Sequence, residues 1–216
     1  MDKKAILFDM DGVVINSMPY HVKAWKKAFK EHDLDVDERL FFLYEGAIEP
    51  DIACKLFNKN GTQITENLFY NILERQKEIF LSEFTHLIKP FNKIPEILES
   101  LKGLNFKLAL VTSSHEDILQ QVLPKELKLL FDHIVTGDQV KRRKPHPDPY
   151  LAGLKGLNIS PSQAFCAIEN APAGIKSAKN AGLNCVAITT TLSPEELSEA
   201  DKIIESHEKL LDYIQG

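Results

Sequence analysis

Residues 8–13 read FDMDGV and place two carboxylates, Asp9 and Asp11, two positions apart at the end of the apolar run AILF. In an extended chain such residues point to the same side, so both charges meet at the rim of a low-dielectric core and repel. A pair of this kind needs a compensating partner. Three further polar groups stand at the ends of later apolar runs: Thr112-Ser113-Ser114 after KLALV, Lys144 in RRKPHPDPY after HIV, and Glu169-Asn170 after AFCAI. If those runs are parallel strands, all four groups converge on one crevice, because ligands of open parallel sheets gather outside the carboxyl ends of the strands. Singly, each has an ordinary structural explanation: a chance DxD, a helix N-cap at TSS, a solvated turn lysine, a cap at Glu169. Their joint occurrence in this order points to a site.

The elements that must position these groups follow from hydropathy patterning. AILF (5–8), KLALV (107–111), HIV (133–135), AFCAI (164–168) and CVAI (185–188) lack polar alternation, as strands covered on both faces do. PEILESLKGL, HEDILQQVL, PDPYLAGLKGL and PAGIKSAKNAGL carry apolar residues three and four apart, with Pro near the start or Gly near the end, and read as helices. The alternation predicts an α/β fold with a doubly wound parallel sheet. Between Ser17 and Lys89 there is no strand-like run, only the helical segments HVKAWKKAFKEH, DERLFFLY, DIACKLFNKN and ITENLFYNILERQKEIFLSEF. This predicts a second, all-helical domain over 17–89, with 1–16 and 90–216 forming the sheet domain and crossings near 15–18 and 88–92.

At 216 residues and 44% hydrophobic, the chain is long enough to bury a full core without staples. A net charge of −5 offers no general attraction to nucleic acid or to an anionic membrane, and KRRK at 141–144 is too short to reverse that, so small molecules are the expected partners. Cys54, Cys166 and Cys185 are odd in number, and the last two lie in apolar runs, as reduced thiols of a cytoplasmic protein do. The acids at 9 and 11 interrupt the first apolar stretch well short of a membrane span. Oligomeric state has no handle in the sequence, which is compatible with a monomer.

FDMDGV, the Thr112 position, KPHPDPY and IENAPAGIKSAKNAG resemble, in order, the four motifs of the haloacid dehalogenase (HAD) superfamily. The branch is the one with a helical cap inserted after the first strand, near β-phosphoglucomutase and the small sugar-phosphate phosphatases. The resemblance spans the whole chain, and the HxxAW of His21 to Trp25 resembles the start of the mutase-like cap. It implies a Rossmann-like core in which Asp9 attacks phosphorus and forms an aspartyl phosphate that water hydrolyses. Asp11 would protonate the leaving oxygen and then activate water, with a pKa above that of Asp9. The resemblance also implies Mg²⁺ held by Asp9, the Asp11 backbone carbonyl, Glu169 and Asn170. Thr112, with N–H groups near Ser113 and Ser114, would hold the phosphoryl oxygens, and Lys144 would neutralise charge. One position departs from the pattern: where the fourth motif usually reads Glu-Asp, this chain has Glu169-Asn170. An amide oxygen coordinates without a charge, so cation affinity should fall unless Glu169 binds directly.

Asp11 points to phosphoryl transfer from oxygen, since the resembled carbon–halogen and phosphonate branches lack this second acid. The cap loop LYEGAIEPD carries Glu45, Glu49 and Asp51 where the resembled mutase offers basic residues. A second phosphate dianion would be repelled there, with His21, Arg75 and Lys77 as partial offsets. The expected function is a Mg²⁺-dependent phosphatase of a small phosphorylated metabolite, a sugar phosphate in particular, with His21, Glu45 and Arg75 facing substrate from the cap. The alternatives are a β-phosphoglucomutase-like mutase and, from another class, a catalytically silent phosphate-sensing module.

Overall fold

The computed structural model describes residues 4–46 and 50–215. Glu49 and the side chain of Asp51 therefore lie outside the described residues. In chain order the elements are β1 (Ala5–Phe8), α1 (Met18–Lys30), α2 (Glu38–Leu43), α3 (Pro50–Lys59), α4 (Glu66–Glu83), α5 (Ile94–Gly103), β2 (Lys107–Val111), α6 (Glu116–Val122), α7 (Lys125–Lys128) and β3 (His133–Val135). They continue with α8 (Asp148–Leu157), β4 (Ala164–Glu169), α9 (Pro172–Asn180), β5 (Cys185–Ile188), β6 (Lys202–Ile204) and α10 (His207–Gln215). All strands pair in parallel in the order β3-β2-β1-β4-β5-β6, with β1 at the centre. No helix among the described residues is long and apolar enough to cross a membrane.

The unbroken apolar runs are explained by coverage on both faces. Ile6 and Phe8 of β1, with Leu108, Leu110, Cys166 and Ile168, pack toward α5, α6 and α10, whereas Ala5, Leu7, Ala109, Val111 and Ala167 pack toward α8 and α9. A period-2 chain with apolar residues at both parities is stable only between two helical layers. The helical insert builds its own apolar centre, where Trp25 stacks on Phe41 and Phe69 at 5.9 and 5.8 Å and Phe29 and Phe57 close the cluster. Its entry and exit run side by side. Asn16 N–H donates to Lys89 O at 2.9 Å, Phe91 N–H donates to Val14 O at 3.1 Å, and Ile15 bridges Pro90.

The sheet extends beyond the sequence expectation by β6 and α10. A three-residue edge strand that begins with an exposed lysine gives too short a pattern to register. Both edges are finished alike. Asp132, just before β3, accepts Leu108 N–H at 2.8 Å and its own N–H donates to Leu108 O; Asp201, just before β6, exchanges the same pair of bonds with Cys185. Lys102 and Lys179 at the ends of α5 and α9 pair with these carboxylates. Partial burial works to raise the Asp201 pKa, but the Cys185 N–H and Lys179 outweigh it and hold the carboxyl below its usual range. Because the folded-state pKa is depressed, the stabilisation is present above about pH 4 and lost as the pH falls through the folded-state value. Asp201→Asn is expected to cost about 1 kcal/mol for the charged hydrogen bond, the exposed ion pair adding little. Thermal unfolding should show a deficit of about 2–4 °C at pH 7 that closes as the pH falls through the folded-state value.

Candidate active site

Asp9 follows β1 directly, and its N–H continues the ladder to Ile168 O at 3.0 Å, which fixes the carboxylate at the sheet's rim. Lys144 reaches it from the loop after β3. Its Nζ donates to Asp9 Oδ1 at 2.5 Å, Glu169 Oε1 at 2.7 Å and Val111 O at 3.1 Å, which uses all three ammonium donors. Tyr150 of α8, fully buried, donates to the same Glu169 oxygen at 2.5 Å. The lysine is 2% exposed and Glu169 1%, so the pairs are screened by protein alone. Burial by itself would lower the Lys144 pKa, yet Asp9 and Glu169 more than reverse this and hold the ammonium charged.

Asp11 belongs to a separate network. Its Oδ1 accepts Ser17 Oγ–H at 2.6 Å and lies 3.3 Å from His21 Nε2, while its Oδ2 accepts Ser114 Oγ–H at 2.9 Å and Thr112 Oγ1–H at 3.3 Å. Thr112 Oγ1 also accepts Ser114 N–H at 3.0 Å, and Ser113 Oγ donates across to Gly46 O of the insert at 3.1 Å. His21 is itself held from behind: Gln76 Nε2 lies 3.3 Å from its Nδ1, and Phe80 stacks on the ring at 3.8 Å.

The order of the two acid pKa values is the reverse of the sequence expectation. Burial, with Glu169 and Asp11 adding to it against Lys144, pushes Asp9 up to about 8. Burial also works to raise Asp11, but the bonds from His21, Ser17 and Ser114 and the His21 charge hold it below its usual range. Closeness of like charges, the only cause visible in FDMDGV, is outweighed by hydrogen bonds from residues far along the chain.

Glu45, in the turn after α2, is brought into the site, where its Oε2 accepts Asn170 Nδ2–H at 2.8 Å. Burial and the charges of Asp9, Asp11 and Glu169 raise its pKa well above the ordinary value. Arg75 is not in the site, which corrects the sequence expectation. It lies on the outer side of α4, where it forks onto Glu31 with bonds of 2.8–3.0 Å and reaches Glu78. Lys77 likewise pairs with Asp117 at 2.9 Å. The residue of α4 that does face inward is Gln76, a polar member of the buried stripe Phe69, Ile72, Ile79 and Phe80. That break in an apolar stripe was the signal in the sequence for it. Ser17, Tyr150 and Thr191 carried no such signal.

Among the described residues, Asp9, Asp11, Glu45 and Glu169 share this pocket with Lys144, and like charges about 4 Å apart repel by about 4 kcal/mol at an effective dielectric near 20. Asn170 Oδ1 is buried beside them with no partner. An excess of hard oxygen donors with an orphaned carbonyl fits a hard divalent cation. Among the described residues no three His, Cys, Asp or Glu side chains form a ready cage, so such a cation would rely on amide and backbone oxygens as well as carboxylates. The cavity between the strand ends and the insert measures about 80 Å³ and is walled by Met18, Trp25, Phe41, Tyr44 and Phe57. His21, Trp25, Ser113 and Ser114 also border a second cleft of about 480 Å³ between α4 and the loops after β2 and β3.

Gly174 in α9 is required by this packing, because a Cβ there would lie 2.1 Å from the Glu169 carboxylate. Gly174→Ala gains about 1 kcal/mol of helix propensity but costs about 1–3 kcal/mol in overpacking, and it drives Glu169 off Lys144. A net loss of stability is expected in urea unfolding; a more stable variant would contradict the placement of Glu169.

A strand-end carboxylate pair and a buried lysine beside a helical insert suit an α/β enzyme of the hydrolase type. Residues 6–188 match the family model of haloacid dehalogenase-like hydrolases, and the chain belongs to that family. It is 32% identical over 204 residues to validoxylamine A 7'-phosphate phosphatase of Streptomyces hygroscopicus subsp. limoneus, covering 94% of this chain and 93% of that one. It is 31% identical over 201 residues to β-phosphoglucomutase of Bacillus subtilis, covering 86% and 83%. A hydrolase from Pseudomonas syringae has the same fold, with a TM-score of 0.87 at 24% identity over 99% of this chain and 98% of that one.

Proposed function

We propose that the protein is a Mg²⁺-dependent phosphomonoester hydrolase of a small phosphorylated metabolite, a sugar phosphate in particular, working through an aspartyl phosphate. The observation that carries this reading is the 2.5 Å contact of Lys144 Nζ with Asp9 Oδ1 beside a separately bonded Asp11. Asp9 is the nucleophile, its second oxygen free of the lysine. Lys144 holds Asp9 in place and offsets the charge of the incoming phosphoryl group, while Glu169 and Tyr150 hold Lys144. Ser114 and Thr112 hydroxyls, now spent on Asp11, turn to the phosphoryl oxygens when substrate enters.

Asp11 delivers a proton to the leaving oxygen and takes one from the attacking water, a role worth about 10²–10⁴-fold; when Ser114 turns to substrate, a bond that holds the Asp11 pKa down is lost, as that role requires. His21, 3.3 Å from it, orients this carboxyl. A cation held by Asp9, the Asp11 carbonyl, Asn170 Oδ1 and Glu169 Oε2 would supply charge neutralisation at the phosphoryl group. The helical insert, reaching Ser113 through Gly46, serves as the lid that keeps bulk water out.

The mutase reading is supported by the Bacillus subtilis relative, but Glu45 disfavours it, because an acid bonded to Asn170 at this point of the insert offers the second phosphate of a bisphosphate no cationic partner. Phosphate release from a panel of sugar phosphates with Mg²⁺ tests the hydrolase reading. Conversion of glucose 1-phosphate only in the presence of a bisphosphate primer, without net phosphate release, would replace it with the mutase. Binding of phosphate without any turnover would leave the sensing module.

A further inference from the structure

Asn170 is fully buried, and its amide is used unevenly. Nδ2 donates to Glu45 Oε2 at 2.8 Å and to Thr191 Oγ1 at 3.1 Å, so both amide hydrogens are taken. With the amino end turned to Glu45 and Thr191, the carbonyl end points elsewhere in the plane of the group. That carbonyl oxygen is buried without a partner, and so is the other oxygen of Glu45. Gly12, with φ +82°, packs so tightly under the amide that a Cβ would stand 2.2 Å from Nδ2. Asn170, Thr191 and Gly12 all belong to the loops at the strand ends. Glu45 alone comes from the insert.

We propose that Glu45 is a positioning residue of the cation site: on lid closure its carboxylate locks the Asn170 amide with the oxygen toward the strand-end acids and adds the negative charge that an amide lacks. The inference rests on the cation reading given above. It accounts for the two orphaned oxygens together, and it makes the site complete only when the lid is shut. The coupling is reciprocal, so the cation favours the closed lid by the same factor by which closure favours the cation.

Outer partners of this kind are worth about 10–100-fold in metal affinity. Mg²⁺ is titrated calorimetrically into the full chain without substrate, for the wild type, Glu45→Gln, and Glu45→Gln combined with Asn170→Asp. Melting in EDTA checks that each is folded. The single variant is expected to bind Mg²⁺ about 10-fold or more weakly. The double variant should recover to within about 3-fold of wild type, since the new amide at 45 can donate to the new carboxylate at 170 and the charge returns with donor and acceptor exchanged. Undiminished Mg²⁺ binding by Glu45→Gln overturns the inference, and so does a double variant as weak as the single one, which would mark the loss as packing damage. A wild type that takes up no Mg²⁺ overturns the cation reading itself, and this inference with it.

Discussion

Asp9→Asn is expected to abolish turnover and yet to leave a protein at least as stable as the wild type when no cation is present. Loss of the proposed nucleophile is expected to lower phosphate release by about 10⁴-fold or more, since Lys144 and the Thr112 and Ser114 hydroxyls would still bind the phosphoryl group but cannot form the acyl phosphate. Stability moves the other way because the Asp9 pKa is pushed up to about 8 in the folded chain, above the ordinary 3.8. A carboxyl with a raised folded-state pKa opposes folding once ionised. Its cost grows from about pH 4 and levels off above pH 8. A neutral amide escapes that cost and leaves Lys144 its second partner, Glu169, at 2.7 Å. Scanning calorimetry in EDTA should therefore show the D9N melting temperature equal to the wild type's at or below about pH 4 and above it at pH 9. A lower value at pH 9 would mean that the Lys144 contact outweighs burial.

Lys144→Met is the change with the largest expected effect on stability. It removes the one cation 2.5 Å from Asp9 and 2.7 Å from Glu169, and both acids stay buried. Breaking a buried pair from one side costs about 3–5 kcal/mol, because the remaining charge loses its partner without regaining water. For a chain of this size the loss corresponds to a fall in melting temperature of roughly 10 °C. Adding Glu169→Gln to Lys144→Met should restore part of the loss, since the acid then left stranded is removed. The same double variant should remain inactive. Chemical denaturation of the single and double variants measures the coupling directly.

The five apolar runs were legible because strands covered on both faces must be apolar at both parities, and Leu7 and Phe8 do face opposite helical layers. The helices of the insert were legible from three-and-four spacing. β6 was not, since KII offers three residues and one of them is a lysine in water. Asp9, Asp11, Thr112, Ser114, Lys144, Glu169 and Asn170 meet where a parallel sheet delivers its strand ends, so topology alone placed them together. Arg75 was misplaced for a related reason. Charge type says nothing about which side of α4 a residue occupies, and Arg75 finds Glu31 on the solvent side. The order of the Asp9 and Asp11 pKa values was out of reach of the sequence, because it depends on Ser17, His21 and Ser114 converging on one carboxylate.

The contact between residues 14–16 and 89–91 has a consequence for how such a molecule can be altered. Since the chain leaves and re-enters the sheet layer at neighbouring points, the length of what lies between adds no strain to the strands. A different set of helices could be spliced between these two tethers without moving Asp9 relative to Lys144. The geometry of Asp9, Lys144 and Glu169 is thereby set apart from the stretch that supplies His21 and Glu45, and a replacement for that stretch has only to return those two contacts.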